Sequence, residues 1–217
     1  MRCDPGFVKN MLRLYAVTDR RWLGRETLCD QVERAICGGV TCVQLREKDL
    51  PRDRFLQEAR RLRVLCSAYR VPLIVNDDVE IALEVGADGV HVGANDMQAR
   101  EVRRLAGDRL IIGVTAKTLE QAAAAQEAGV DYLGSGAVFG TTTKPDARPM
   151  SRELLMEIAA SVSIPVVAIG GIDRENIAQL RGTGVAGAAV VSGIFAAQDI
   201  EGECRFLRLQ ADQIARE

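Results

Sequence analysis

Residues 71–93 read VPLIVNDDVEIALEVGADGVHVG, and this stretch decides the fold. From Pro72 to Asp77 runs a nearly continuous apolar segment of strand length, without the alternation of a half-exposed strand. Parallel strands buried on both faces have this pattern. Pro72 opens the run, where its missing N–H costs least. Asp is a favoured helix N-cap, and capping is the role expected of Asp78 rather than Asp77. A helical stretch follows and ends at Gly86-Ala87, where glycine suits a left-handed helix end. A second apolar run, Gly89–Gly93, then begins.

The same rhythm extends outward in both directions. Candidate strands cover Leu14–Asp19, Thr41–Glu47, Pro72–Asp77, Gly89–Gly93, Leu110–Ala116, Tyr132–Phe139, Pro165–Gly171 and Gly187–Ile194. Gly39-Val40, Gly129-Val130 and Gly184-Val185 repeat the Gly86-Ala87 step. Between strands lie amphipathic stretches. The clearest carries Phe55, Ala59, Leu62, Leu65 and Tyr69 on one stripe and Arg54, Glu58 and Arg61 on the other face, behind Pro51. Repetition of one strand–helix unit to the end of the chain predicts the α/β class and a (β/α)₈ TIM barrel. It forms a single domain over residues 1–217, with 1–12 as an N-terminal extension. An open doubly wound sheet is the alternative, but no Gly-x-Gly-x-x-Gly opens the first unit.

Composition excludes several function classes. The chain has 217 residues, 47% of them hydrophobic and 27% charged, as in an ordinary globular protein. A formal net charge of −2 gives no global field to recruit nucleic acid or an anionic membrane. An anionic ligand must then be held by local groups. Cys3, Cys29, Cys37, Cys42, Cys66 and Cys204 form no Cys-x-x-Cys pair and no zinc-ligand spacing. Buried structural thiols are the expectation. Residues 1–10 lack the apolar core of a signal peptide, and no apolar run has membrane-spanning length. A cytoplasmic location is expected. Oligomeric state is left open, a homo-oligomer included.

Active sites of such barrels lie at the C-terminal strand ends, so polar groups there that the fold does not need are informative. Strand two ends in Gln44-Leu45-Arg46-Glu47-Lys48, strand three in Asn76-Asp77-Asp78, and strand four leads to Asp96. Strand five ends in Thr115-Ala116-Lys117, and strand six runs into Gly140-Thr141-Thr142-Thr143-Lys144. Arg46, Lys48 and Lys144 converge on one mouth beside Asp77 and Asp96. Cations suit a diphosphate, and two carboxylates suit Mg²⁺ shared with it. Thr141 and Thr143 add hydroxyls. Gly171 and Ser192-Gly193 follow strands seven and eight, a frequent phosphate site in barrels. Two anion sites imply two phosphorylated small-molecule ligands. A lone Arg or Lys is usually a solvated charge, but a strand end beside Gln44 favours function for Arg46. Gly171 reads equally as a turn residue. The single histidine, His91, sits inside an apolar strand and reads as a satisfied core residue.

Five of these pieces in order resemble the thiamine phosphate synthases over nearly the whole chain. They are Gln44–Lys48, Val75–Asp78, Gly89–Gly93 with Asp96, Thr141–Lys144 and Ile169–Ile172. The resemblance implies a transferase that joins 4-amino-5-hydroxymethyl-2-methylpyrimidine diphosphate to 4-methyl-5-(2-phosphooxyethyl)thiazole. It implies that Gln44, Arg46, Lys48 and Asn76 contact the pyrimidine diphosphate, with Thr115 and Lys144 on the diphosphate. Asp77 and Asp96 are then the Mg²⁺ carboxylates, while Thr141, Thr143, Gly171, Val191 and Ser192 form the thiazole phosphate site. The implied mechanism is dissociative, with Arg46, Lys48 and Lys144 stabilising the leaving group.

The chain departs from the family pattern at Ala94, where Gln is usual, at Thr115, where Ser is usual, and at Lys117, where His is frequent. The rival reading is a thiazole tautomerase, a related barrel, but it needs an acid–base residue where Lys117 stands. A non-catalytic phosphate-ligand sensor and a sugar-phosphate isomerase are further alternatives. The segment Arg20–Arg25, with Trp22, is a candidate lid by its position.

Overall fold

Every strand runs parallel to its neighbours, and the eighth pairs with the first. A computed structural model describes residues 4–93, 99–140 and 149–215. After helix α1 (Pro5–Met11), its strands are β1 (Leu14–Val17), β2 (Cys42–Leu45), β3 (Leu73–Asn76), β4 (Gly89–Val92), β5 (Ile111–Thr115), β6 (Tyr132–Gly136), β7 (Val166–Ile169) and β8 (Gly187–Val190). They close in sequence order, β8 beside β1, as a single (β/α)₈ TIM barrel. Helices α2 (Leu28–Cys37), α3 (Arg52–Tyr69), α4 (Val79–Val85), α5 (Ala99–Ala106), α6 (Leu119–Glu127) and α7 (Arg152–Ser161) fill the first six crossovers. A 3₁₀ turn at Ile177–Leu180 lies in the seventh, and α8 (Ser192–Phe195) and α9 (Ile200–Ile214) follow β8.

Each strand falls inside its expected range, with one correction of substance. Strand eight was expected to reach Ile194, yet it ends at Val190 and Ser192–Phe195 is helical. Turning there buries Ile194 and Phe195, which are 0% and 2% exposed, against the outer core. Asp78 caps α4 as expected, accepting from the Ile81 N–H at 2.8 Å. Gly86 ends that helix at φ +64°.

Two apolar clusters share the interior. The larger joins the outward faces of the strands to the helices. The smaller lies inside the barrel and includes Tyr15, Cys42, Ile74, Ile111, Tyr132 and Val167. Residues 4–12 add to that inner cluster: Val8, Met11 and Leu12 pack into it from α1 and its end. Cys42, Cys66 and Cys204 are buried as expected, whereas Cys37 is exposed.

The repeated Gly-Ala and Gly-Val steps carry a repeated clamp. Asp88, after Gly86-Ala87, accepts the Leu73 N–H at 2.8 Å and Arg63 at 2.9 Å. Asp131, after Gly129-Val130, accepts the Ile112 N–H at 2.8 Å and Arg103 at 2.6 Å. Each carboxylate thus ties the entry of its own strand to the strand before it. Arg103 also donates to the carbonyls of Gly129, Gly107 and Leu110.

Asp131→Ala strands a backbone N–H and a mostly buried guanidinium. It should cost about 3 kcal/mol, near the lower end for breaking a buried pair, because Arg103 keeps its carbonyl partners. Urea denaturation should show a lower midpoint at unchanged slope.

Candidate active site

A cavity open to solvent lies over the C-terminal strand ends. Among its lining residues are Gln44, Arg46, Lys48, Asn76, Asp77, Thr115, Gly171, Val191 and Ser192. These nine sequence-selected residues come from β2, β3, β5, β7 and β8 or from the turns just after them. Asp96, Thr141, Thr143 and Lys144, and also Ala94, lie outside the described residues.

The β3 end is the most constrained part of the mouth. Asp77 adopts φ +66°, a left-handed conformation uncommon for a residue with a Cβ. Its N–H donates to the His91 carbonyl at 2.8 Å, which fixes that turn to β4. Its carboxylate takes the Lys48 ammonium and the Asn76 amide, each at 2.6 Å. Asp78 turns away to cap α4, so adjacent aspartates have separate tasks.

Arg46 is held from below. Its backbone N–H donates to Thr18 Oγ1 at 3.0 Å. Its Nε is buried and has no hydrogen-bond partner among the described residues. A buried guanidinium donor without an acceptor is costly, so an anionic ligand is its natural complement. Asp19 lies close enough to interact with Arg46. Burial works to raise the Asp19 pKa, but hydrogen bonds from Arg21 outweigh it and hold the carboxyl below its usual range.

The candidate lid is tied down. Arg20 donates to Glu47 at 2.6 Å and pairs with Glu58 at 3.1 Å, while Gln31 donates to the Trp22 carbonyl at 2.8 Å. Glu47 therefore fastens the β1 turn to the end of β2. Burial pushes its carboxyl upward in pKa, with Arg20 opposing.

Opposite the cationic side, the Gly170-Gly171 turn after β7 comes close to the segment after β6, and Gly193 after β8 comes close to Ile172 and Asp173. Gly171 has φ +66°, and a Cβ there would sit 2.1 Å from the Gly140 carbonyl oxygen. The turn leaves room for nothing larger than hydrogen.

The pocket floor was the part that sequence reasoning missed. His91 is 9% exposed, as a core residue should be, yet it also lines the cavity. Its Nε2 is 3.1 Å from Thr115 Oγ1 and its Nδ1 is 3.1 Å from the Tyr132 hydroxyl. Tyr15 also lines the cavity, receives Gln44 Nε2 at 2.9 Å and meets Tyr132 at 2.9 Å. Two tyrosines at interior positions of apolar strands were the available signal.

The pattern of the thiamine monophosphate synthases matches residues 14–194. The chain belongs to the thiamine monophosphate synthase family. The thiamine-phosphate synthase of Ruminiclostridium cellulolyticum is 51% identical over 87% of this chain and 90% of its own length. That of Enterococcus faecalis is 48% identical over 89% and 91%. The thiamine phosphate pyrophosphorylase of Pyrococcus furiosus superposes with a TM-score of 0.88 at 39% identity, covering 95% of this chain and 98% of that one. A 3-hexulose-6-phosphate synthase structure, at 15% identity and a TM-score of 0.69, shares the fold alone. With this family assigned, the tautomerase alternative has no support.

Two glycine substitutions, Gly171 at the mouth and Gly86 at the opposite end of the barrel, separate backbone strain from contact. Gly86→Ala meets nothing within 4 Å and should cost only the roughly 1–2 kcal/mol of a left-handed alanine. Gly171→Ala should cost more and lose turnover, because the Gly140 loop must move. Equal denaturation midpoints for the two variants would show that the loop yields freely.

Proposed function

We propose that this family member joins 4-amino-5-hydroxymethyl-2-methylpyrimidine diphosphate to 4-methyl-5-(2-phosphooxyethyl)thiazole, releasing diphosphate and thiamine phosphate. The chain is a transferase of the thiamine-phosphate synthase type. The observation that carries the substrate assignment is the buried, unpartnered Arg46 Nε in the wall of a pocket that also holds Lys48 and Thr115. An anion with several oxygens answers all three donors.

In the proposed reaction the bond from the pyrimidine methylene to the diphosphate oxygen breaks first, and its electron pair leaves with the diphosphate. The aminopyrimidine ring spreads the positive charge, and the thiazole nitrogen lone pair then forms the new carbon–nitrogen bond. Such a route asks the protein for leaving-group stabilisation and alignment. Arg46 and Lys48 supply charge on the leaving-group side, and Lys144 is assigned there with them. Gln44 and Asn76 hold the pyrimidine diphosphate, and Thr115 donates to its phosphates. Gly171, Val191 and Ser192, with Thr141 and Thr143, receive the thiazole phosphate. No nucleophilic side chain is required.

Mg²⁺ belongs to the same proposal. No cluster of three or more acidic, histidine or cysteine side chains exists among the described residues. Mg²⁺ does not demand one, since one or two carboxylates plus substrate phosphates suffice. The Asp77 carboxylate, aimed at the mouth by a constrained turn, fits that donor set, and Asp96 is the second proposed ligand. When bound, the ion would neutralise charge on the departing diphosphate.

No described helix is long and apolar enough to cross a membrane. We place the enzyme in the cytoplasm, which suits its free thiols at Cys29, Cys37, Cys42, Cys66 and Cys204.

Purified protein with both substrates and Mg²⁺ should release diphosphate and form thiamine phosphate in equal amounts, and neither with EDTA. Diphosphate alone would mean that the acceptor is wrong. Arg46→Ala should weaken binding of the pyrimidine diphosphate by about 2–5 kcal/mol, the range for truncating one partner of a desolvated charge pair. A wild-type dissociation constant would make Arg46 a surface charge.

A further inference from the structure

Four hydrogen bonds in series cross the barrel interior beneath the pocket. Gln44 on β2 reaches Tyr15 on β1, which reaches Tyr132 on β6, which reaches His91 on β4, which reaches Thr115 on β5. Every link is between 2.9 and 3.1 Å. Two glycines make room for it. A Cβ on Gly113 would lie 2.0 Å from the Tyr132 ring, and one on Gly134 would lie 3.1 Å from His91.

Proton counting gives such a chain a direction. A phenol has one proton, and a neutral imidazole has one N–H. For a neutral imidazole, and with each phenol proton spent inside the chain, fixing one link fixes the others. With the Gln44 amide nitrogen toward Tyr15, Tyr15 donates to Tyr132, and Tyr132 donates to His91 Nδ1. His91 Nε2–H then donates to Thr115, and the Thr115 proton is left for the pocket. The opposite order would leave Thr115 only lone pairs to offer. Burial raises both phenols far above their usual pKa, so each remains an O–H donor at working pH.

We infer that this chain is proton-ordered and that His91 is a positioning residue, held as the Nε2–H tautomer so that the Thr115 hydroxyl donates to a ligand. Resting on the proposed contact between Thr115 and diphosphate, this assigns His91 and Tyr132 a part in binding an anion that Tyr132 does not touch. A diphosphate accepts hydrogen bonds and offers none when fully ionised. It therefore selects the same proton order as the Gln44 amide. The two ends are coupled: Gln44 keeps its carbonyl oxygen for a donor on the ligand, such as a ring amino group, while Thr115 keeps a proton for the phosphate.

His91 is the only histidine in the chain, so its imidazole nitrogens can be read without assignment. In ¹⁵N-histidine-labelled full-length protein, long-range ¹H–¹⁵N correlation should show a protonated Nε2 and an unprotonated Nδ1. An Nδ1–H tautomer or a doubly protonated ring would overturn the inference. In Tyr132→Phe the spectrum should move toward a tautomer mixture. Affinity for inorganic diphosphate should fall about tenfold in that variant, as for a lost hydrogen bond to a charged group. Thr115→Val should lose a similar factor, Thr115→Ser should stay near wild type, and Tyr132→Phe should add nothing in the Thr115→Val background. Additive losses would make Tyr132 merely structural and sink the positioning role. Wild-type protein that ignores inorganic diphosphate would instead remove the Thr115–diphosphate contact, with the spectrum still deciding the proton order.

Discussion

Closure of the sheet is the constraint on which the molecule depends. Because β8 pairs with β1, no strand has a free edge, and every strand is covered on both faces. All eight strands point the same way, so their polar C-terminal residues must meet at one mouth. Arg46, Asp77 and Thr115 are far apart in sequence, but barrel geometry alone brings them around one cavity. The opposite end can then be devoted to stability. There Asp88 and Asp131 clamp strand entries, and α1 packs into the inner cluster.

The same closure limits what the interior may contain. Side chains alternate along a strand, so half of each strand faces a narrow space shared by eight. Two tyrosines and a histidine fit only because Gly113 and Gly134 give up their side chains. Their polar atoms are shut away from bulk water, and a half-satisfied set would be worse than an apolar core. Linking them in one chain resolves that. It also makes the floor of the pocket a rigid polar surface rather than an oily one.

How much could be read beforehand follows from these facts. Apolar runs ending in polar residues revealed the strands and nine of the residues that line the cavity, because strand ends are where polarity stops being forbidden. The polar floor stayed hidden for the reverse reason. A parallel strand buried on both faces is apolar throughout, so its sequence does not say which phase faces the barrel. Tyr15 and Tyr132 therefore carry no mark of a pocket in the sequence, and His91 reads as a core residue. The end of strand eight is not marked in the sequence, because Ile194 is as apolar in a buried helical turn as it would be in a strand. The tethering of Arg20 by Glu47 and Glu58 leaves no mark in the sequence, since it joins the first strand–helix unit to the second.

The Lys48–Asp77 pair shows how such a mouth remains ready without being locked. Its partners are 47% and 30% exposed, and exposed ion pairs are worth only about 0–1 kcal/mol. That is too little to hold Lys48 against a polyanion, yet it is enough to keep a flexible ammonium near the cavity instead of free in solvent. The constrained backbone lies on the other partner. Asp77 is held at positive φ by its N–H bond to the His91 carbonyl, and its carboxylate keeps the Asn76 amide as a second partner besides the lysine. A left-handed aspartate is a strained residue retained by its surroundings, and such residues cluster at functional sites. The more exposed member of the pair is thus the long, many-rotamer lysine, and the member on the constrained backbone is the carboxylate. That division is the one expected of a site that must receive and release diphosphate while keeping its own geometry.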